Sequence, residues 1–157
     1  MAESRPNVWT RITVMLRQER RRTRRAEPAA VAVSAETTSE SLAVLVVDDN
    51  AALRSVLRRY LERRGHAVVE AADGEEGLRL VKGRPFDRVI VDVQMPVKDG
   101  PEFYEGLAGI RPDLQARTIF MTGGFLSPQA ERVIDASGRP SVRKPFDLVE
   151  MAKTIEG

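Results

Sequence analysis

Residues 44–50 read VLVVDDN. Four aliphatic side chains run straight into two adjacent carboxylates, Asp48 and Asp49, and then an amide. An apolar run of this length fits a buried strand, and the polar residues mark its end. Two unit charges ~4 Å apart repel by roughly 4 kcal/mol at an effective dielectric of about 20. A fold that keeps such a pair at a strand end needs a cation close to it.

The pattern on either side of this stretch is regular from residue 42 onward. Leu53, Val56, Leu57, Tyr60 and Leu61 recur at helical spacing, and Gly65 closes the run as a C-terminal cap. HAVVEA (66–71) reads as a strand. Asp73 and Glu76 open a helix in the manner of a capping box. FDRVIVD (86–92) is a third apolar strand, followed by a helix over Pro101–Ile110. RTIFMT (117–122) is the fourth strand, with Ser127–Pro128 as cap and first residue of the next helix. PSVRK (140–144) is the fifth strand, and Asp147 with Glu150 caps a last helix. Five strand–helix repeats with apolar rather than alternating strands predict an α/β fold, a parallel sheet covered by helices on both faces.

In such sheets ligands bind beyond the carboxyl ends of the strands. Asp48 and Asp49 follow the first strand, Asp92 ends the third, Thr122 the fourth and Lys144 the fifth. Three carboxylates make a hard oxygen pocket of the kind Mg²⁺ takes, with Mn²⁺ an admissible substitute. Such an ion would relieve the Asp48–Asp49 repulsion. Asp92 offers a nucleophile, because carboxylates form acyl phosphates. Lys144 can pair with a phosphate oxygen and Thr122 can hydrogen-bond another.

These residues carry a resemblance. VVDDN, DVQMPVKDG (92–100), MTGG (121–124) and RKPFD (143–147), in that order with strand and helix between them, resemble the receiver domains of response regulators. The resemblance spans about residues 42–157. It implies a flavodoxin-like doubly wound (βα)5 fold with a five-stranded parallel sheet in the order 2-1-3-4-5. It implies that Asp92 accepts phosphate from the phosphohistidine of a histidine kinase or phosphotransfer protein. Asp49, Asp92 and the backbone carbonyl of Gln94 would bind the metal directly, and Asp48 through water. Thr122 and Lys144 would contact the phosphoryl group, and Lys144–Pro145 would be a cis peptide. A downstream protein would read the face built by the fourth predicted helix, the fifth strand and the fifth predicted helix. One departure stands out. The aromatic residue common three positions before the lysine is replaced here by Ser141.

The N-terminal stretch differs in composition. Residues 1–40 hold eight Arg and five Glu, whereas the remainder is close to neutral within a chain of net charge +2. RRRTRR (20–25) and the Ala/Ser/Thr/Glu-rich stretch 26–41 read as a basic tether and linker, so the expected division is 1–41 and 42–157. WTRITVML (9–16) resembles the closing strand of a kinase ATPase domain, which would make the chain the receiver portion of a hybrid histidine kinase. No aromatic interleaving or recognition fold supports specific nucleic-acid binding. The chain has no Cys and no apolar run of membrane-spanning length, which fits a cytoplasmic location with no membrane partner. Monomer and dimer both stay open.

Competing readings are a phosphate-independent interaction module and an aspartate-based phosphohydrolase. The intact set of acids, Thr122 and Lys144 argues against the first. The second needs an acid two residues beyond the nucleophile, where Gln94 stands. The expectation is therefore a phosphoacceptor, not a turnover enzyme. His66, the only histidine, reads as structural or exposed.

Overall fold

The computed structural model describes residues 40–157. The sequence-predicted tether, RRRTRR and WTRITVML lie outside the described residues. Eleven elements follow in order: β1 Ala43–Val47, α1 Ala51–Arg63, β2 Ala67–Ala71, α2 Gly74–Gly83, β3 Arg88–Asp92, α3 Gly100–Ala108, α4 Pro112–Gln115, β4 Thr118–Thr122, α5 Pro128–Ser137, β5 Ser141–Arg143 and α6 Leu148–Glu156. The one-turn helix α4 is an addition to the sequence reading, which carried a single helix to Ile110. The predicted fourth and fifth helices are therefore α5 and α6.

All pairings are parallel and the strand order is β2-β1-β3-β4-β5, as expected. Side chains alternate across the pleat, so successive residues of one strand feed two cores. Val44, Val46, Ile90, Ile119 and Met121 pack with Leu57 and Leu61 of α1 and Met151 and Ile155 of α6. Leu45, Val47, Val89, Val91 and Phe120 pack with Val81 of α2, Phe103 and Leu107 of α3, and Ile134 of α5. Both faces are dry, which is why the central strands read as unbroken apolar runs.

Helix starts follow the local chemistry. Asn50 caps α1 by accepting from the N–H groups of Ala52 and Leu53. Asp99 and Glu102 form a reciprocal capping box at α3, and Ser127 with Pro128 opens α5. Asp73 accepts from the Glu76 N–H, but Glu76 reaches past the cap to the Ala72 N–H, so α2 has a displaced version of the box. His66 is buried: its Nδ1 accepts from the Leu42 N–H, and its Nε2 lies 3.1 Å from Glu156 Oε1. Its role is thus structural, tying the start of β1 to the end of α6.

The sheet order places a switch point between β1 and β3, because the chain leaves β1 for β2 on one side and for β3 on the other. Asp48, Asp49 and Asp92 stand at that point.

Candidate functional site

Asp48, Asp49 and Asp92 each offer a carboxylate oxygen, and these oxygens lie within 4.8 Å of one another. The three side chains are not equivalent. Asp48 is fully buried, and each of its oxygens already accepts one hydrogen bond. Its Oδ1 accepts from the Asn50 N–H at 2.7 Å and its Oδ2 from Lys144 Nζ at 2.8 Å. Asp49 is exposed, and among the described residues its carboxylate has no side-chain partner. Asp92 is 5% exposed, with Oδ1 3.1 Å from Lys144 Nζ.

The repulsion between Asp48 and its neighbouring carboxylates is offset in part within the protein. Lys144 supplies a cation to Asp48 and to Asp92 at once, while Asp49 turns outward. Burial pushes the Asp92 carboxyl above the usual carboxylate range, and the Asp48 charge adds to this. Lys144 and the Gln94 N–H work against that rise without cancelling it. For Lys144, burial lowers the pKa, but its hydrogen bond to Asp48 and the charges of Asp92 and Asp48 together outweigh burial, so its pKa lies above that of a free lysine.

Backbone placement explains the convergence. Lys144 follows β5 directly, and its N–H donates to the Thr122 carbonyl at 2.7 Å, which sets the lysine beside the end of β4. The Lys144–Pro145 peptide is cis. Thr122 is half-buried at the end of β4, and among the described residues its hydroxyl has no partner. Gly100 opens α3 where the backbone comes closest: a Cβ there would lie 2.5 Å from the Asp92 carbonyl oxygen. Val97, in the loop between β3 and α3, has φ 71°, a left-handed value that strains a β-branched residue.

The donor set fits a hard divalent ion. It is all oxygen, it contains an exposed carboxylate without a partner, and two buried carboxylates stand beside it. Asp49 and Asp92 are the residues best placed to hold such an ion. Asp48 already spends both oxygens, so it would act at one remove.

Of the sequence-predicted side chains, those of Asp48, Asp49, Asp92 and Lys144 meet here, and Thr122 is tied to Lys144 through its backbone carbonyl; Gln94 stands in the loop after β3. Its carbonyl was the expected ligand; its side-chain amide instead donates to the Phe125 carbonyl and links the loops after β3 and β4. Ser141 is exposed, with no ring between β5 and α5 at that position. Sequence reasoning passed over Arg54, whose Nη1 donates to the Asp48 carbonyl. Its signal was a charged residue on the same helical stripe as Leu57 and Leu61.

The model of the response regulator receiver domain family matches residues 44–156. The chain belongs to that family. This receiver domain is 34% identical over 142 residues to the sensor kinase CckA of Brucella abortus, a match covering 85% of this chain and 15% of that protein. It is 36% identical over 113 residues to the response regulator MprA of Mycobacterium tuberculosis, covering 71% of this chain and 47% of that one. The chain thus spans less than half the length of either relative. Among solved structures, the chemotaxis protein CheY4 of Vibrio cholerae aligns with a TM-score of 0.64 and 29% identity, covering 74% of this chain and 98% of that one. The receiver domain of the hybrid histidine kinase CckA aligns with a TM-score of 0.59 and 31% identity, covering 73% and 95%.

Proposed function

We propose that this receiver domain is a Mg²⁺-dependent phosphoacceptor and that Asp92 is the accepting residue. The observation that carries the reading is the meeting of a buried strand-end carboxylate, Asp92, with a second carboxylate, Asp49, and the Lys144 ammonium. Asp92 Oδ attacks the phosphorus of a phosphohistidine on a histidine kinase or phosphotransfer protein. An O–P bond forms, the N–P bond breaks, and the imidazole leaves with the electron pair. Bound Mg²⁺ supplies neutralisation of the charge on the carboxylate and the phosphoryl oxygens. Asp49, Asp92 and the Gln94 carbonyl would hold it, with Asp48 acting through water. Mn²⁺ takes the same ligands.

Lys144 then has one carboxylate fewer to serve and turns its ammonium to a phosphoryl oxygen. Thr122 donates its free hydroxyl to another. Because Lys144 is bonded through its backbone to Thr122, the two move as one unit at the head of β4 and β5. The phosphorylated population is read by a protein that binds the α5–β5–α6 face. Residues 42–157 are the signalling unit, residues 1–41 carry the Arg-rich sequence, and the setting is cytoplasmic. Among the described residues no helix is long and apolar enough to cross a membrane.

A second reading concerns context. The match to the sensor kinase CckA covers 85% of the chain, more than residues 44–156 alone account for. Only Gly157 follows that span, so the match must extend into residues before 44. This favours a receiver that works with, or as part of, a sensor kinase of that kind.

The test is incubation of the purified chain with Mg²⁺ and acetyl phosphate, followed by intact mass. An acyl phosphate adds ~80 Da. Asp92→Ala should abolish the adduct, as should removal of Mg²⁺ with a chelator. An adduct that survives Asp92→Ala would move the nucleophile elsewhere.

A further inference from the structure

Two buried side-chain polar atoms among the described residues lack a hydrogen-bond partner: Arg54 Nε and Glu70 Oε1. They lie in the same seam. Glu70 stands in register with Val46, on the sheet face that Val44, Val46 and Val68 share. That face packs against Leu57 and Leu61 of α1. Arg54 precedes Leu57 by three and Leu61 by seven, which puts it on the same helical stripe. One turn further along, Arg58 Nη1 is 3.9 Å from the other Glu70 oxygen, Oε2. A charged donor and a charged acceptor left unpaired would each cost about 1–3 kcal/mol or more. Arg54 and Glu70 make no ion pair within 4.0 Å, and the cation that reaches Glu70 is Arg58.

The other end of Arg54 touches the site. Its Nη1 donates to the carbonyl of Asp48. That carbonyl belongs to the same rigid peptide plane as the Asp49 N–H. The plane fixes the direction from which the Asp49 side chain departs. Asp48 is otherwise held by its N–H to the Ala71 carbonyl at 3.2 Å and by its carboxylate to Asn50 and Lys144. Asp49 has no such anchor of its own, and the Arg54 bond holds the peptide that leads into it.

We propose that Arg54, through its bond to the Asp48 carbonyl, is a positioning residue for the metal-binding carboxylate of Asp49. The proposal rests on the Mg²⁺-dependent reading above. The sign of the effect separates positioning from charge. Arg54 is cationic, so deleting its charge beside a cation site would by itself tighten Mg²⁺ binding. A positioning role requires the opposite.

The test is calorimetric Mg²⁺ titration of wild type, R54M and R54K, with amide hydrogen exchange of the metal-free proteins. R54M should weaken Mg²⁺ binding about tenfold, the lower end for groups that orient metal ligands. R54K should recover part of that loss. Without metal, the Asn50 N–H, which reports the segment from Asp48 to Asn50, should exchange faster in R54M while the β1 and β3 amides keep their protection. R54M binding Mg²⁺ as tightly as wild type, or more tightly, overturns the proposal. Weaker binding with uniformly faster exchange across the sheet also overturns it, since Arg54 would then be a structural residue only. If wild type binds no Mg²⁺, the functional reading fails on its own account, and selective exchange at Asn50 still decides whether Arg54 fixes the segment.

Discussion

Lys144 Nζ lies 2.8 Å from Asp48 Oδ2, and that carboxylate is completely buried. The pair converts what reads as a double negative charge into one neutralised group and one free one. Lys144 also reaches Asp92 at 3.1 Å, so a single ammonium serves the residue that structures the pocket and the residue proposed to react. Any cation that enters through Asp49 and Asp92 competes with Lys144 for Asp92. The lysine therefore links occupancy of the pocket to the end of β5, where the proposed readout face begins.

Replacing Lys144 with Met should expose this competition. The buried Asp48 carboxylate would lose its only charged partner. Breaking a buried pair costs about 3–5 kcal/mol. Lys144 is 25% exposed at its side chain, so about 2 kcal/mol is expected here. Mg²⁺ would restore much of that, and the rise in Tm on adding Mg²⁺ should be larger in the variant than in wild type. Equal rises would mean that Lys144 and the metal do not compete.

The two neighbouring aspartates should respond in opposite directions. Asp49→Ala removes an exposed charge beside Asp48 and Asp92 and should raise metal-free stability by about 0.5–1 kcal/mol, the scale of a screened contact. Asp48→Ala strands the Asn50 N–H and takes one acceptor from Lys144, so it should cost about 2–3 kcal/mol. Urea unfolding without Mg²⁺ gives both values. Loss of stability in Asp49→Ala would show that its charge is stabilised by a partner rather than held against repulsion.

The raised Asp92 pKa gives a pH signature. In the unfolded chain Asp92 ionises near the ordinary carboxylate value, about 3.9, whereas in the folded protein it ionises later. Between those points the folded state binds more protons, so this residue's contribution falls as pH rises through the window. Above the folded pKa the ionised Asp92 is a constant burden. Asp92→Asn should therefore be more stable than wild type at neutral pH without Mg²⁺, with the difference shrinking on acidification toward the unfolded value. Thermal melts of the two proteins at several pH values check this, and a gap that widens on acidification would contradict the direction of the shift.

Much of this site was legible in the chain because the fold reduces to strand ends. Apolar runs ending in Asp48, Asp92, Thr122 and Lys144 fix which residues reach one edge, once the sheet is parallel. The caps at Asp73, Ser127 and Asp147 were legible because capping is local chemistry. Harder to see was how the charges are shared. No spacing rule distinguishes Asp48, buried and bonded twice, from its exposed neighbour Asp49; that difference arises from which side of the sheet each Cβ leaves. The Arg54–Asp48 contact and the Gln94–Phe125 link cross between elements, and only the packed structure brings them together. The turn Pro112–Gln115 was hidden because four residues carry no periodicity.

Gly100 offers the sharpest test of how the fold holds the proposed nucleophile. It begins α3 with its N–H donated to the Val93 carbonyl at 3.1 Å. Its α-carbon faces the Asp92–Val93 backbone so closely that a methyl group would sit 2.5 Å from the Asp92 carbonyl oxygen and 2.8 Å from Val93 Cα. Both obstacles are main chain, so no side chain can swing aside to make room. Gly100→Ala must push α3 away from β3 or shift Asp92 itself, and overpacking of this kind costs about 1–3 kcal/mol. The Asp92 carbonyl is one side of that contact, so the strain falls on the residue that must keep its place beside Asp49 and Lys144. The expected outcome is a folded variant with lower Tm, weaker Mg²⁺ binding and slower formation of the acetyl-phosphate adduct. Gly109→Ala makes the control, since a Cβ there meets nothing within 4 Å. If Gly100→Ala forms the adduct at the wild-type rate, the close approach of α3 does not position Asp92.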